Sequence, residues 1–238
     1  MSHSGPRNDH IYICVTITIP QPHAKYRPTA STTGSDVNQT KRKIHKRLSN
    51  FVGWIKPNPA REGDIRSQAD RIRISVRSEA SNDGLILRST PQAGSFAKNT
   101  GLRRHLPGGS VVEGFDVDIP FVISPKTKAQ GEFQDLLRLF FRYAQAAYPN
   151  NSVELTKSSV KISFTGTRVY YDLVPMLATD DTQKQILIRS TGERIETSVQ
   201  QHVEFVRSRC RSSNAEAGRV KFNECERLVK WWREFEQA

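Results

Sequence analysis

Apolar and polar positions along this chain follow two rhythms, and the changes of rhythm mark its elements. After Asn58-Pro59, an N-cap followed by a proline suited to the first helical position, Ile65, Ala69, Ile72 and Val76 recur on one helical face. That helix should end at Ser81-Asn82-Asp83-Gly84, where Asn or Gly takes a left-handed cap. A short strand over Leu85 to Ser89 follows. Phe133, Leu136, Leu137, Phe140, Phe141 and Ala144 form the strongest amphipathic helix pattern. Between these helices, Gly114 to Ile123 reads as a strand. Lys157 to Thr165 and Arg168 to Leu177 read as a hairpin closed by Gly166-Thr167, a Gly-first turn that suits right-twisted strands. From Thr197 the period becomes helical again, with Val199, Val203, Val206 and Cys210 on one face. Phe222, Cys225, Val229 and Trp232 form the last helical stripe, expected to pack on the core. Trp231 and Phe235 lie off that stripe as a second apolar patch.

The first fifty residues follow another pattern. Ile11 to Ile19 is a β-branched, strand-like run, broken by Pro20, Pro22 and Pro28. Ser31 to Gln39 is rich in Ser, Thr and Gly and reads as loop. Lys41 to Arg47 is a basic cluster. The segment is expected to be a flexible basic arm, 1–50, ahead of a core at 51–190 and a helical subdomain at 191–238. Its cluster is either a solvated face or a phosphate-binding tail.

Composition narrows the functional classes. The 238 residues carry 36 Lys and Arg against 24 Asp and Glu, a formal net charge of +12, which points to a polyanionic partner. No apolar run approaches the roughly 20 residues of a membrane helix, and the start lacks the basic-then-apolar order of a secretory signal. Three cysteines, Cys14, Cys210 and Cys225, show no zinc spacing and fit a reducing cytoplasm.

Candidate chemistry centres on carboxylates. Asp116 and Asp118 are two apart on a strand, so both project to one face while Val117 and Ile119 project to the other. Adjacent carboxylates repel unless something positive sits between them. A hard divalent cation answers that need, and Mg²⁺ leaves room for substrate phosphates. An Asp pair bonded to loop amides is the plainer reading of this motif alone. Upstream, Gly94-Ser95 opens a short helix, where glycine permits close backbone approach to a phosphate and serine offers a hydroxyl. A third acid, Asp172, interrupts the hydrophobic run Val169 to Val174, which an acid does only when paired or metal-bound. Three acids and a Gly-Ser loop suit two-metal nucleotidyl transfer.

On these residues the chain resembles the polymerase-β-like nucleotidyltransferases, whose signature is Gly-Ser, a strand with DxD, and a later strand with a third acid. Gln92 to Thr100, Asp116 to Pro120 and Tyr171 to Pro175 look most like the bacterial CD-NTases, relatives of cGAS and oligoadenylate synthase. Cys225 to Trp232 resembles that family's late LxKxW helix. The resemblance implies an α+β fold: a palm-like mixed sheet flanked by helices, with a short C-terminal helical part that stops early. It implies a metal-dependent enzyme joining nucleoside triphosphates into a cyclic di- or trinucleotide messenger for anti-phage signalling, with pyrophosphate released. Asp116, Asp118 and Asp172 would be catalytic and bind Mg²⁺, or Mn²⁺ in its place. Gly94, Ser95 and Lys230 would bind the triphosphate.

Two departures from the family pattern stand out. Arg103 to Gly114 must be an inserted loop, and the chain ends soon after the Lys-Trp helix. The implied partners are nucleoside triphosphates and a downstream cyclic-nucleotide effector. Nucleic acid on the basic arm, and self-association through the last helix, are further expectations. Competing functions are nucleotidyl transfer to RNA, a protein or a small molecule, and a binding module that has lost catalysis.

Overall fold

The computed structural model of the chain describes residues 34–105, 111–114, 116–126, 135–165, 169–217 and 221–236. The strand-like run at Ile11 to Ile19 and the Gly166-Thr167 turn lie outside them. Contacts divide the chain into two units, Met1–Lys43 and Ile44–Ala238. Within the first, only the opening turns of helix α1 (Gly34–Ile55) are described. Those turns correct the loop expected up to Gln39: Gly34 to Gln39 are helical, and so is the basic run Lys41 to Arg47. A helix can carry that many cations when they all face water, and every residue from Lys41 to Asn50 is exposed.

In the second unit, α2 (Pro59–Asn82) begins as its sequence requires. The Asn58 side chain accepts from the Ala60 amide at 3.0 Å, and Pro59 stands in the first turn, where its missing N–H costs nothing. Ile65, Ala69, Ile72, Val76 and Ala80 are buried along one face. Gly84, at φ +77°, lets the chain leave the helix end.

Three strands follow in sequence: β1 (Leu87–Ser89), then, after the single-turn helix α3 (Gly94–Ala97), the pair β2 (Leu102–His105) and β3 (Val111–Gly114). The expected inserted loop is thus an antiparallel ribbon, with Leu102 opposite Gly114 and His105 opposite Val111. Inter-strand hydrogen bonds pair the backbone of residues 102–105 with that of 111–114.

The main sheet is built from β1, β4 (Asp116–Ile123), β5 (Ser152–Leu155), β6 (Val160–Ser163), β7 (Tyr170–Ala178), β8 (Gln185–Ile188) and β9 (Arg194–Thr197). Its order is β1-β4-β7-β6-β5, with β8 on β7 and β9 on β8. Among the described residues only β4 and β7 run parallel, so the sheet is mixed, as expected. The strands β5, β8 and β9 were not anticipated. Each is four residues long, too short for its alternation to rise above the surrounding polar residues.

One sheet face carries Val117, Ile119, Phe121, Ile123, Tyr171 and Leu173, all buried. It is covered by α2 and by α4 (Leu136–Ala147), whose Leu136, Leu137, Phe140 and Ala144 point inward. Phe140 meets Phe121 at 5.1 Å and Tyr143 at 5.6 Å between ring centroids. The Tyr143 hydroxyl donates to Asp83 at 2.8 Å and ties α4 to the end of α2. Burial pushes the Tyr171 hydroxyl up to about 12.

The chain closes with α5 (Val199–Ala217) and α6 (Phe222–Glu236). Helix α5 buries Val199, Val203 and Val206, with Cys210 half-buried, as its stripe predicts. Helix α6 does the reverse. Val229 is 58% exposed and Trp232 60%, Cys225 is exposed, and Phe222 is half-buried. Its buried positions are Asn223 and Arg227. Trp231, expected in the uncovered patch, is half-buried and meets Phe51 of α1 edge-on at 4.7 Å. The Phe235 side chain lies outside the described residues.

Candidate active site

The site forms on the sheet face opposite α2 and α4. Parallel pairing places Asp116 beside Tyr170 and Asp118 beside Asp172. Partners in register share a face, so the carboxylates of Asp118 and Asp172 sit side by side on adjacent strands. Asp116 shares that face by alternation; its side chain lies outside the described residues. Both described acids are half-buried. On the other side of β7, Lys161 of β6 is in register with Asp172. The Ser159 hydroxyl, itself buried, donates to Asp172 Oδ1 at 2.7 Å and fixes that carboxylate's rotation.

Gly94 brings the Gly-Ser turn onto these acids. Its φ is +70°, a conformation L side chains rarely adopt. A Cβ built there would stand 1.9 Å from Asp118 Oδ2. Glycine is therefore demanded twice, by backbone conformation and by the approach of the carboxylate. The turn that follows is internally bonded: the Lys98 amide donates to Gly94 O at 3.2 Å and the Thr100 amide to Ser95 O at 2.8 Å. The structure thus brings Gly94, Asp118 and Asp172, three of the residues singled out from the sequence, into one neighbourhood, with Ser95 next to Gly94 in the chain.

A cavity of 230 Å³ opens at this point, lined by Gly94, Lys98, Asp118, Ser158, Thr197 and His202 among others. Lys98 and His202 were not singled out from the sequence. Lys98 follows Ser95 by three residues, one helical turn, and that spacing was the available signal. Nothing local in the sequence marks His202, which reaches the cavity from the first turns of α5. A larger cavity of 460 Å³ lies on the opposite side of the sheet, against Arg61, Asp64, Gln68, Phe164 and Tyr171, and is lined by neither Asp118 nor Asp172. The carboxylates, not the size, identify the site.

Lys230 sits beside the turn rather than in that cavity. Its Nζ donates to Thr100 Oγ1 at 2.9 Å and pairs with Glu226 at 3.2 Å. Arg227, one turn earlier on α6, is 1% exposed and was not anticipated at all. Its Nε donates to Gly101 O at 3.0 Å, and its Nη2 donates to both the carbonyl and the side-chain oxygen of Asn99. Burial lowers the Arg227 guanidinium from its usual range, opposed by the nearby Glu224 and Glu226 carboxylates.

The donor set fits a hard divalent cation. Asp118 and Asp172 present carboxylates from adjacent strands, and Asp116 shares their face, the kind of oxygen donors such a cation takes. Among the described residues, no helix is long and apolar enough to cross a membrane.

Comparison with known proteins agrees with this geometry. Residues 43–209 match the Second Messenger Oligonucleotide or Dinucleotide Synthetase domain. The CBASS oligonucleotide cyclase CdnC of Escherichia coli strain KTE188 is 29% identical over 183 residues, covering 74% of this chain and 54% of that protein. A cyclic AMP-AMP-AMP synthase of E. coli strain MS 115-1 is 28% identical, covering 79% and 56%. The solved structure of E. coli MS115-1 CdnC with ATP superposes with a TM-score of 0.61 at 28% identity, over 82% of this chain and 59% of that one. A Vibrio cholerae DncV cyclic AMP-GMP synthase structure, 13% identical with a TM-score of 0.58, shares the fold. The chain spans a little over half the length of the curated relatives it matches.

Proposed function

Because the chain belongs to the Second Messenger Oligonucleotide or Dinucleotide Synthetase family of bacterial CD-NTases, within the polymerase-β-like superfamily, we propose that it joins nucleoside triphosphates into a cyclic di- or trinucleotide with release of pyrophosphate. The observation that carries this reading is the register of Asp118 with Asp172 beneath a Gly94 whose backbone no other residue could bring so close. The product would act as a second messenger on an effector in anti-phage defence, in the cytoplasm.

In this reading Asp116, Asp118 and Asp172 hold Mg²⁺. A metal held there would supply Lewis acidity, for deprotonation of the acceptor hydroxyl and for the charge on the departing pyrophosphate. The carboxylates set where the acceptor hydroxyl and the α-phosphate meet. Ser159 keeps Asp172 turned toward that point. Gly94 and Ser95 hold the β- and γ-phosphates through close backbone approach and the serine hydroxyl. Lys98, in the same cavity, and Lys230, held on Thr100, add positive charge at the exit of the turn.

The test is incubation of the full chain with Mg²⁺ and the four nucleoside triphosphates, followed by chromatography and mass spectrometry. A cyclic product is expected from the wild-type chain and none from the Asp116→Asn, Asp118→Asn double variant, whose carboxamides keep shape and lose charge. Undiminished product from the double variant would remove the metal assignment. Extension of added RNA in place of a cyclic product would replace the acceptor.

A further inference from the structure

The carbonyls at the end of the Gly-Ser turn have no partners within the turn and find them on the last two helices. A four-residue helix cannot satisfy its own terminal carbonyls. Here the amides of Ala97, Lys98, Asn99 and Thr100 use the carbonyls of residues 93 to 96, while the next carbonyls are met from outside. Arg207 of α5 donates to Ala97 O at 3.2 Å. Asn223 Nδ2 donates to Asn99 O at 3.1 Å, alongside Arg227 Nη2. Lys230 reaches Thr100 O at 3.4 Å, and Arg227 Nε reaches Gly101 O. Asn223, Arg227 and Lys230 are four and three residues apart, one face of α6.

We infer that Arg227 is a positioning residue for the Gly94–Ser95 turn, and that its guanidinium sets how tightly the chain binds a nucleoside triphosphate. The use assigned to the turn rests on the function proposed above. Two features give the inference its force. Arg227 is buried almost completely, an arrangement that costs solvation and is offset only by acceptors of good geometry. The acceptors bonded to it are carbonyl and carboxamide oxygens of Asn99 and Gly101, so its bonds serve the turn's backbone. Asn99, at φ +55°, is the left-handed residue of that backbone, and Arg227 bonds it at two oxygens. The other end of the turn is the Gly94 contact, where Asp118 leaves no room for a Cβ. Releasing Asn99 and Gly101 would therefore let Ser95 drift relative to Asp118, a displacement to which phosphate binding is sensitive.

The experiment compares the wild-type chain with Arg227→Lys, which keeps the charge and loses the planar fork. Asn223→Ala, which removes one of the two donors to Asn99 O, serves as a second variant should the first fail to fold. Val229→Thr, on the exposed side of α6, is the control. Amide hydrogen exchange without nucleotide reads the turn itself. Residues 97–101 should exchange about tenfold faster in Arg227→Lys while α2 and α4 keep wild-type protection. The KM for triphosphate should rise about tenfold, the equivalent of one charged hydrogen bond, with kcat within about twofold of wild type. Unchanged exchange at 97–101 would overturn the clamp. Faster exchange with unchanged triphosphate affinity would overturn its link to the nucleotide. A wild-type chain that binds no triphosphate would instead refute the proposed function and the use of the clamp with it, while the exchange data would still decide whether Arg227 holds the turn.

Discussion

Helices α4 and α6 are both amphipathic, and they dock with opposite faces. Helix α4 turns Leu136, Leu137, Phe140 and Ala144 inward against the apolar side of the sheet. Helix α6 turns Asn223 and Arg227 inward and leaves Val229 and Trp232 exposed. The difference lies in what each helix meets. The surface under α4 is made chiefly of apolar side chains, so area removed from water decides the face. The surface under α6 is a run of backbone carbonyls from Asn99 to Gly101, those of Thr100 and Gly101 on buried residues. An unmet buried carbonyl costs about 1–3 kcal/mol. Several of them outweigh the gain from covering a valine and a tryptophan that can stay half wet. A hydrophobic stripe therefore names the buried face of a helix only where the receiving surface is itself apolar.

That contrast can be broken from either side. Phe140→Ala on α4 should cost the most, about 3–5 kcal/mol of stability in urea denaturation, with triphosphate affinity of the folded protein unaltered. A loss below 1 kcal/mol would mean that the face under α4 is not a packed core. Gly94→Ala should cost less in stability, about 1–2 kcal/mol for the left-handed backbone. Its effect on product formation should be far larger, because the new methyl displaces Asp118. Wild-type turnover in that variant would show that the turn and Asp118 are not held together. Asn223→Ala should lower stability by about 1 kcal/mol, since Arg227 still serves Asn99 O. The smallest effect belongs to Val229→Thr with Trp232→Gln, within about 0.5 kcal/mol of wild type and with no change in light scattering. A larger loss, or a change of oligomeric state, would show that this stripe is covered in solution and that the contrast with α4 is false.

The chemistry was legible in the sequence because it is local or periodic. The Asn58-Pro59 start, the α2 and α4 stripes, and the shared face of Asp116 and Asp118 follow from spacing alone. Gly94 was legible as a glycine where backbone must come close to something. That the nearest something is a carboxylate of β4 was not, because their juxtaposition depends on where β4 lies in the sheet. The short strands β5, β8 and β9 were missed, and the Arg103 to Gly114 insertion was read as loop, because a four-residue strand is too short to show an alternation of its own and is fixed by the neighbouring strand it pairs with.

Residue types and their order were enough to establish three acids, a glycine-serine turn and the helices that carry a core, since propensity, capping and side-chain period are properties of neighbours in the chain. The tertiary structure alone decided that Asp118 and Asp172 stand in register, that Ser159 orients Asp172, and that His202 enters the cavity. It also decided which face of α6 is buried. Arg227 lies 126 residues from Gly101, whose carbonyl it caps, and no local pattern records the geometry of a hydrogen bond across that separation.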